Sequence, residues 1–378
     1  MIKKILLVFF LISCQIGFSQ SLVSDSTIVS ILTVGTADAS HSLYGHTALR
    51  IKDETKNIDL VYNYGMFDFG TPNFMFKFVK GDLQYYAAAY PYDNFEYGYR
   101  VENRSIYEQV LDMSVSEKQS LINKLDVSLS SDDKFYTYKF IDRNCTTKVI
   151  DIVNEVLEGR PIVKKNIDPK TTYRDVLFPY VENHFYQKLG INIIFGNRVD
   201  DEATIMFLPL DLFENLKVTA YRNKPLVKET NIIFEANRPS AFSFLDSIYS
   251  LIGVLLLFIV INKKTMQIAY FLILGAIGLL FSLIGFYSLH QEVLWNYNVL
   301  LFNPLFLVLL YFRAVNNLKW VKKLSWVCLG FLGIYVVYML NKIHLFIVLP
   351  IIITTAILLL RWIAPEKFAI VRGRTRPY

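Results

Sequence analysis

Cys145 is the residue with the clearest capacity for chemistry. It lies in the run FIDRNCTTKVIDIVNEVLEG, residues 140–159, where later apolar residues recur at helical spacing and Gly159 follows as a stop signal. The pattern therefore predicts a helix that begins at Cys145. Free N–H groups and the dipole at such a position favour a thiolate and could hold an oxyanion. The two other cysteines, Cys14 and Cys328, fall in a predicted export signal and a predicted membrane helix, so Cys145 has no disulfide partner in its own domain.

A nucleophilic thiol needs a base, and His46 is the best candidate. It follows a glycine at the start of a predicted strand, where its ring could face the helix that begins at Cys145. His41 precedes it in a loop, where it could line the site or lie on the surface, and His184 is the third histidine of the exported part. Asn63, in the run VYNYG, could accept a hydrogen bond from the imidazole and so orient it.

Asn144 and Tyr64 are candidate donors to an oxyanion at the same site. No His, Cys, Asp or Glu spacing suits a metal ion, and no glycine-rich phosphate loop is present. We therefore expect neither a metal nor another cofactor.

Residues 1–20 are typical of a secretory signal, with Lys3 and Lys4 before an apolar stretch and a small-residue cleavage site ending at Ser19. The run LISC also resembles a lipobox, which would make Cys14 a lipidated N-terminus, and this alternative stays open. Residues 21–242 are expected to form an exported catalytic domain of mixed helices and strands. Strands are predicted in TIVSILTVG, HTALRIKD and NIDLVYNYGMFDF, and a helix in SEKQSLINKLDVSL with Ser116 as its cap.

Residues 243–378 are expected to form an all-α membrane domain. Five long apolar stretches occur there, near 245–262, 267–289, 298–312, 325–341 and 344–361. Asn303-Pro304 interrupts the third stretch and predicts a broken or kinked helix. The loops and tail on one side carry eleven Lys and Arg and those on the other side one, which places the exported domain outside and the C-terminus in the cytoplasm.

Charge is divided unevenly along the chain. Residues 21–242 hold 25 Lys and Arg against 30 Asp and Glu, whereas residues 243–378 hold 12 against 3. The exported part is thus mildly acidic, and the positive charge belongs to the membrane part. This distribution argues against nucleic-acid binding.

Each of two aromatic-rich segments allows two interpretations. Fourteen aromatic residues lie between Tyr62 and Tyr99, and those not needed for core packing could form an apolar wall for an acyl chain or a surface on the membrane. The outer loop SLHQEVLWNYN, residues 288–298, contains His290 and Trp295. It is typical of an interfacial belt, and it could also lie beside the active site.

The chain resembles the Lnb family of envelope lipoprotein N-acyltransferases. The resemblance rests on SLYGHTALRI, VYNYGMFDF, KGDLQYYAA, YKFIDRNCTTKVIDIV, LGINIIFGNRVDD and SLHQEVLWNYNVLLFNP, which cover most of the chain after the signal. The order of a histidine, a strand and an Asn-Cys helix start also resembles the lecithin:retinol acyltransferase group. These resemblances imply a circularly permuted papain-like (NlpC/P60-like) periplasmic domain followed by five transmembrane helices.

The resemblance implies a reaction and its partners. His46 and Cys145 match the family's catalytic pair, Asn63 and His290 match recurrent polar positions, and the third catalytic member stays open. The implied activity moves an acyl chain from a phospholipid, through a thioester, to the amino terminus of a diacylated lipoprotein at the bacterial inner membrane. A membrane-anchored thiol peptidase or amidase of the cell wall, and a non-catalytic envelope scaffold, are the alternatives.

Overall fold

A computed structural model describes residues 23–39, 41–165, 168–238 and 242–364. The predicted signal, with Cys14, and the last basic residues of the tail lie outside these ranges. The described chain is a mixed sheet domain followed by apolar helices, in agreement with the predicted α+β class. The permuted papain-like arrangement stays a prediction.

Seven strands form one antiparallel sheet in the order β6-β4-β3-β2-β1-β5-β9. They are β1 (Ile28–Val34), β2 (His46–Asp53), β3 (Ile58–Met66), β4 (Gln84–Pro91), β5 (Ile106–Leu111), β6 (Phe135–Thr137) and β9 (Val227–Phe234). A separate small hairpin pairs β7 (Ala220–Tyr221) with β8 (Lys224–Pro225). The three predicted strands are confirmed as β1, β2 and β3.

Helices cover both faces of the sheet. In chain order they are α1 (Phe74–Lys80), α2 (Tyr92–Val101), α3 (Val115–Ser130), α4 (Cys145–Val156), α5 (Tyr173–Leu177), α6 (Phe185–Ile194) and α7 (Pro209–Lys217). Strand residues alternate between two cores, as the two-residue period of a strand requires. Ile31 packs in the core that α3 and α4 cover, and its neighbour Leu32 packs in the core that Phe95 of α2 covers.

The predicted cap of α3 was wrong by two residues. The helix starts at Val115, and the Ser114 side chain accepts from the backbone N–H of Glu117 while the Glu117 carboxylate accepts from that of Ser114. This reciprocal pair is a capping box, which satisfies two amide donors at the helix start. Ser116 lies inside the helix.

Five apolar helices follow the sheet domain: α8 (Ile248–Ile261), α9 (Lys264–Leu283), α10 (Leu305–Ala314), α11 (Leu318–Met339) and α12 (Leu345–Ile363). Among the described residues, three helices are long and apolar enough to cross a membrane, or four if a bent pair that includes α10 counts as one span. At 14 residues, α8 is about 21 Å long, short of the roughly 30 Å of a hydrocarbon core. Five spans are therefore not confirmed.

The predicted break at Asn303-Pro304 is confirmed. Residues Gln291–Leu300 and Leu305–Ala314 form a helical pair bent by 43°. Gly278 of α9 lies against this break, where an added Cβ would be 1.6 Å from the carbonyl oxygen of Phe302. The freed backbone is thus covered by protein, as a break at membrane depth requires.

Polar side chains join the sheet domain to the loops between the apolar helices. The amide of Asn296 donates to the carbonyls of Ile193 and Ile194 at the end of α6. Buried Arg174 pairs with Asp200 at 2.6 Å, and Lys342 reaches the same carboxylate at 2.7 Å. Burial by itself raises the pKa of Asp200. The charges and hydrogen bonds of Arg174 and Lys342 outweigh burial, so the pKa of Asp200 is lowered. These contacts hold the two halves in a defined arrangement.

Candidate active site

Cys145 is the first residue of α4, as predicted. Asn144 is the N-cap, and its Oδ1 accepts from the backbone N–H groups of Thr146 and Thr147 at 2.9 and 3.0 Å. The capping box of this helix explains why asparagine precedes the cysteine. Thr146 Oγ1 also lies 3.0 Å from Thr47 Oγ1, a buried contact that fixes α4 against β2.

His46 is the first residue of β2, and Asn63 lies on the neighbouring strand β3. Their side chains meet, with His46 Nε2 3.1 Å from Asn63 Oδ1. The Asn63 amide donates to the carbonyl of Val61, so its oxygen faces the ring and Nε2 must carry the proton. Nδ1 is then the ring nitrogen left for the Cys145 thiol.

A turn at Gly45 brings His46 into place. Gly45 has a φ of +85°, and an added Cβ would lie 2.5 Å from the carbonyl oxygen of Val34. Only glycine meets both conditions without displacing β1 from β2. The glycine of the Gly-His pair is therefore required by the backbone.

The Cys145 thiol is partly buried, and its desolvation by itself raises its pKa. The His46 imidazole opposes this effect through its charge and a hydrogen bond, and the Thr47 backbone N–H and the Thr146 hydroxyl add to it. The net result is a lowered thiol pKa. A thiolate beside an imidazolium is the reactive form of a cysteine nucleophile.

Asn144 and Tyr64 have other hydrogen-bond partners than an oxyanion. Both amide hydrogens of Asn144 are used, because its Nδ2 donates to the carbonyls of Phe140 and Phe207 at 2.8 Å each. The Tyr64 hydroxyl donates to Ser128 Oγ at 3.2 Å. These two side chains therefore line the site, and neither has a free hydrogen-bond donor left for an oxyanion.

A cavity of about 450 Å³ opens beside Cys145. Cys145, His46, Asn144 and Tyr64 are among the residues that line it. Most of the remaining wall is apolar and largely aromatic, formed by Phe67, Phe69, Phe74, Met75, Phe78, Leu83, Tyr85, Tyr138, Phe140 and Phe207. The thiol thus faces a space suited to an apolar chain.

The other predicted histidines differ in position. His41 is exposed and lines the cavity. His290 also lines it, and its Nε2 donates to the carbonyl of Phe78 at 2.8 Å, so the outer loop does lie beside the site. His184 lies between Asp38 and Asp246, at 3.4 and 3.7 Å, outside the set of cavity residues.

Three contacts of the site were not predicted. Gly65, with φ +86°, comes so close to Cys145 that an added Cβ would lie 3.7 Å from the Cys145 Cβ. Tyr138 lines the cavity beside it and stacks on Tyr85 with ring centroids 4.5 Å apart. Tyr99 of α2 lies against His46, with ring centroids 6.3 Å apart. The glycine in VYNYG was the one signal in the sequence that could have indicated a close approach.

Comparison with known proteins gives one match. Residues 18–178 match the family model described as the Lnb N-terminal periplasmic domain. No curated protein and no solved structure matches the chain. The matched region spans both strands that carry His46 and Asn63 and the whole of α4. The match confirms the predicted resemblance: residues 18–178 are similar to the N-terminal periplasmic domain of the Lnb family, and the apolar helices that follow fit an inner-membrane protein.

Proposed function

We propose that this protein is a lipoprotein N-acyltransferase of the inner membrane. Its acyl donor is a phospholipid, and its acceptor is the amino terminus of a diacylglyceryl-cysteine lipoprotein. Cys145 is the nucleophile, His46 is the general acid and base, and Asn63 orients the imidazole. The observation that carries the proposal is the junction of a Cys–His–Asn arrangement with an apolar cavity.

The first half-reaction makes a thioester. The Cys145 thiolate attacks the ester carbonyl carbon of the phospholipid, forming a C–S bond and breaking the ester C–O bond. His46, protonated on accepting the thiol proton, gives that proton to the departing alkoxide of the lysophospholipid. Asn63 holds the ring so that one nitrogen faces the thiol throughout.

The second half-reaction makes the amide. The lipoprotein α-amine attacks the thioester carbonyl, the new C–N bond replaces the C–S bond, and His46 takes the proton released by nitrogen. The Cys145 thiolate is regenerated and the lipoprotein leaves with a third acyl chain. Neither half-reaction consumes water or a cofactor.

The backbone N–H of Cys145 is the best placed donor to the oxyanion of both steps. In the first turn of α4 the N–H groups of Thr146 and Thr147 donate to Asn144, and that of Lys148 donates to the Asn144 carbonyl. Among the described residues, none accepts from the N–H of Cys145. This arrangement leaves one amide at the positive end of the helix dipole, beside the thiol.

The proposal is tested by mass spectrometry of lipoprotein N-termini from cells with and without this protein. We expect triacylated N-termini in its presence and diacylated ones in its absence. The purified protein, given labelled phospholipid and a diacylated lipopeptide, should form the N-acylated product. Release of free fatty acid or of a cleaved peptide without that product would instead identify a hydrolase.

A further inference from the structure

The segment around α1 presents large apolar side chains to its surroundings. Phe69, Met75 and Phe76 are 70%, 65% and 70% exposed, and Phe78 is 45% exposed. We refer to these four residues as the apolar rim. A cluster of this kind on a folded domain normally contacts another apolar surface.

The loop after α9 fixes the height of the apolar rim. Four consecutive residues, 287–290, bond to four carbonyls of α1: Tyr287 to Phe76, Ser288 to Val79, Leu289 to Lys80 and His290 to Phe78, at 2.7–3.1 Å. The candidate membrane span Lys264–Phe286 ends one residue before this loop. Helix α1 therefore lies at the level of the end of that candidate span. Phe286, 90% exposed, continues the apolar surface from the span to the rim.

The rim also forms the mouth of the cavity. Phe69, Met75 and Phe78 belong both to the exposed surface and to the wall of the cavity that holds Cys145. Phe76 is exposed without lining the cavity. The opening therefore lies on the same side of the domain as the rim.

We propose that the apolar rim is embedded in the outer leaflet of the bilayer and admits a phospholipid acyl chain sideways into the cavity. A lipid surface is the occupant because the rim is continuous with the end of a span and is apolar and aromatic, as interfacial segments are. The ester carbonyl then approaches Cys145 while the remaining lipid stays in the leaflet. The identity of the entering chain rests on the proposed function, whereas the embedding of the rim does not.

The first test measures the position of the rim without using activity. Nitroxide labels are placed at Phe76→Cys and, as a control, at Val127→Cys on α3, in full-length protein with Cys14, Cys145 and Cys328 replaced. Val127 is 59% exposed on a helix that packs on α4 and the sheet. In phosphatidylethanolamine–phosphatidylglycerol vesicles, we expect position 76 to be accessible to oxygen and protected from a water-soluble nickel chelate. Position 127 should show the opposite. An aqueous signal at position 76 would overturn the embedding.

The second test measures entry of the chain. Phe76→Glu leaves the cavity wall intact but places a charge on the rim, so transfer from vesicle phospholipid should fall about tenfold or more. Transfer from a short-chain phospholipid that is monomeric in water should be retained, and Val127→Glu should lose neither. Lateral entry would be refuted if Phe76→Glu transferred acyl chains from vesicles as fast as the wild type does. It would also be refuted if this variant lost acyl transfer equally from vesicle and short-chain phospholipid.

The two arms separate this inference from the proposed function. If position 76 is embedded and the wild-type protein transfers no acyl chain from either donor, the proposed function fails and the embedding stands. If acyl transfer occurs and position 76 is aqueous, the function stands and the embedding fails.

Discussion

The His46 imidazole and the Asn63 carboxamide meet across two neighbouring strands, with Nε2 and Oδ1 3.1 Å apart. Because Asn63 is itself held by the Val61 carbonyl, the pair fixes both the tautomer and the direction of the ring. In the proposed reaction Asn63 is a positioning residue for the base, the third member that the sequence leaves open.

Replacing Asn63 tests this role. Asn63→Ala should lower kcat by about 10- to 100-fold, since the ring loses its fixed direction. Asn63→Asp keeps an acceptor for the ring N–H and should therefore retain more activity than Asn63→Ala. The measurement is acyl transfer as a function of pH for both variants. Equal losses of acyl-transfer activity in Asn63→Ala and Asn63→Asp would indicate a merely structural role for Asn63.

The thiol pKa is a second measurable consequence. The pKa of Cys145 is lowered because His46 and the N–H of Thr47 outweigh the effect of burial. The rate of iodoacetamide alkylation should therefore level off at a pH below the ~8.5 of a free thiol, in a variant without Cys14 and Cys328. In His46→Ala the burial effect is less opposed, so the inflection should move upward. An unmoved inflection would show that His46 does not act on the thiol.

Loss of the nucleophile should abolish the reaction. Cys145→Ala and His46→Ala should each reduce acyl transfer by about 10³-fold or more, and the double variant should lose little further, because the two act as one unit. Cys145→Ser should be almost as inactive, since a hydroxyl is far less acidic than a thiol. With labelled phospholipid and no acceptor, the wild type should hold a hydroxylamine-sensitive acyl group on Cys145. Label on another residue would contradict the thioester route.

The membrane topology gives a fourth prediction. Arg361, at the end of α12, donates to the carbonyl of Ile259 and to Asn262 at the end of α8, so these two ends lie together. The loops that contact the sheet domain lie at the other ends. The basic ends should face the cytoplasm, as the charge bias requires. A fusion of alkaline phosphatase to the C-terminus should be inactive, and one placed after Asn237 should be active. The reverse result would invert the topology.

Local features of the fold were predictable, and distant contacts were not. The alternation in β1 to β3 and the apolar period after Cys145 follow from short-range geometry, so both were found. The cap of α3 was misplaced because Ser114 and Ser116 are each followed three residues later by a residue that can complete a capping box, Glu117 and Gln119, so the local sequence does not distinguish them.

Contacts between the halves had no local signal. His290 and Phe78 meet although they lie 212 residues apart, and nothing in either run specifies the partner. The number of spans stays a prediction for a related reason. Hydropathy counts apolar residues, whereas Asn262, in a left-handed conformation, ends α8 after 14 residues.

The hydrogen bonds between loop 287–290 and α1 fix the height of the cavity mouth relative to the end of the candidate span Lys264–Phe286. Since these bonds tie the cavity mouth to the end of a candidate span, they set the distance of the Cys145 thiol from that end. In the proposed reaction, the acceptor therefore has to bring its amino terminus to that height with its lipid still in the leaflet. A lipoprotein body that begins within a residue or two of the modified cysteine would then collide with the sheet domain, whereas each unfolded tether residue adds up to about 3.5 Å of reach. The length of the unfolded segment after the modified cysteine would thus decide which lipoproteins are acylated first.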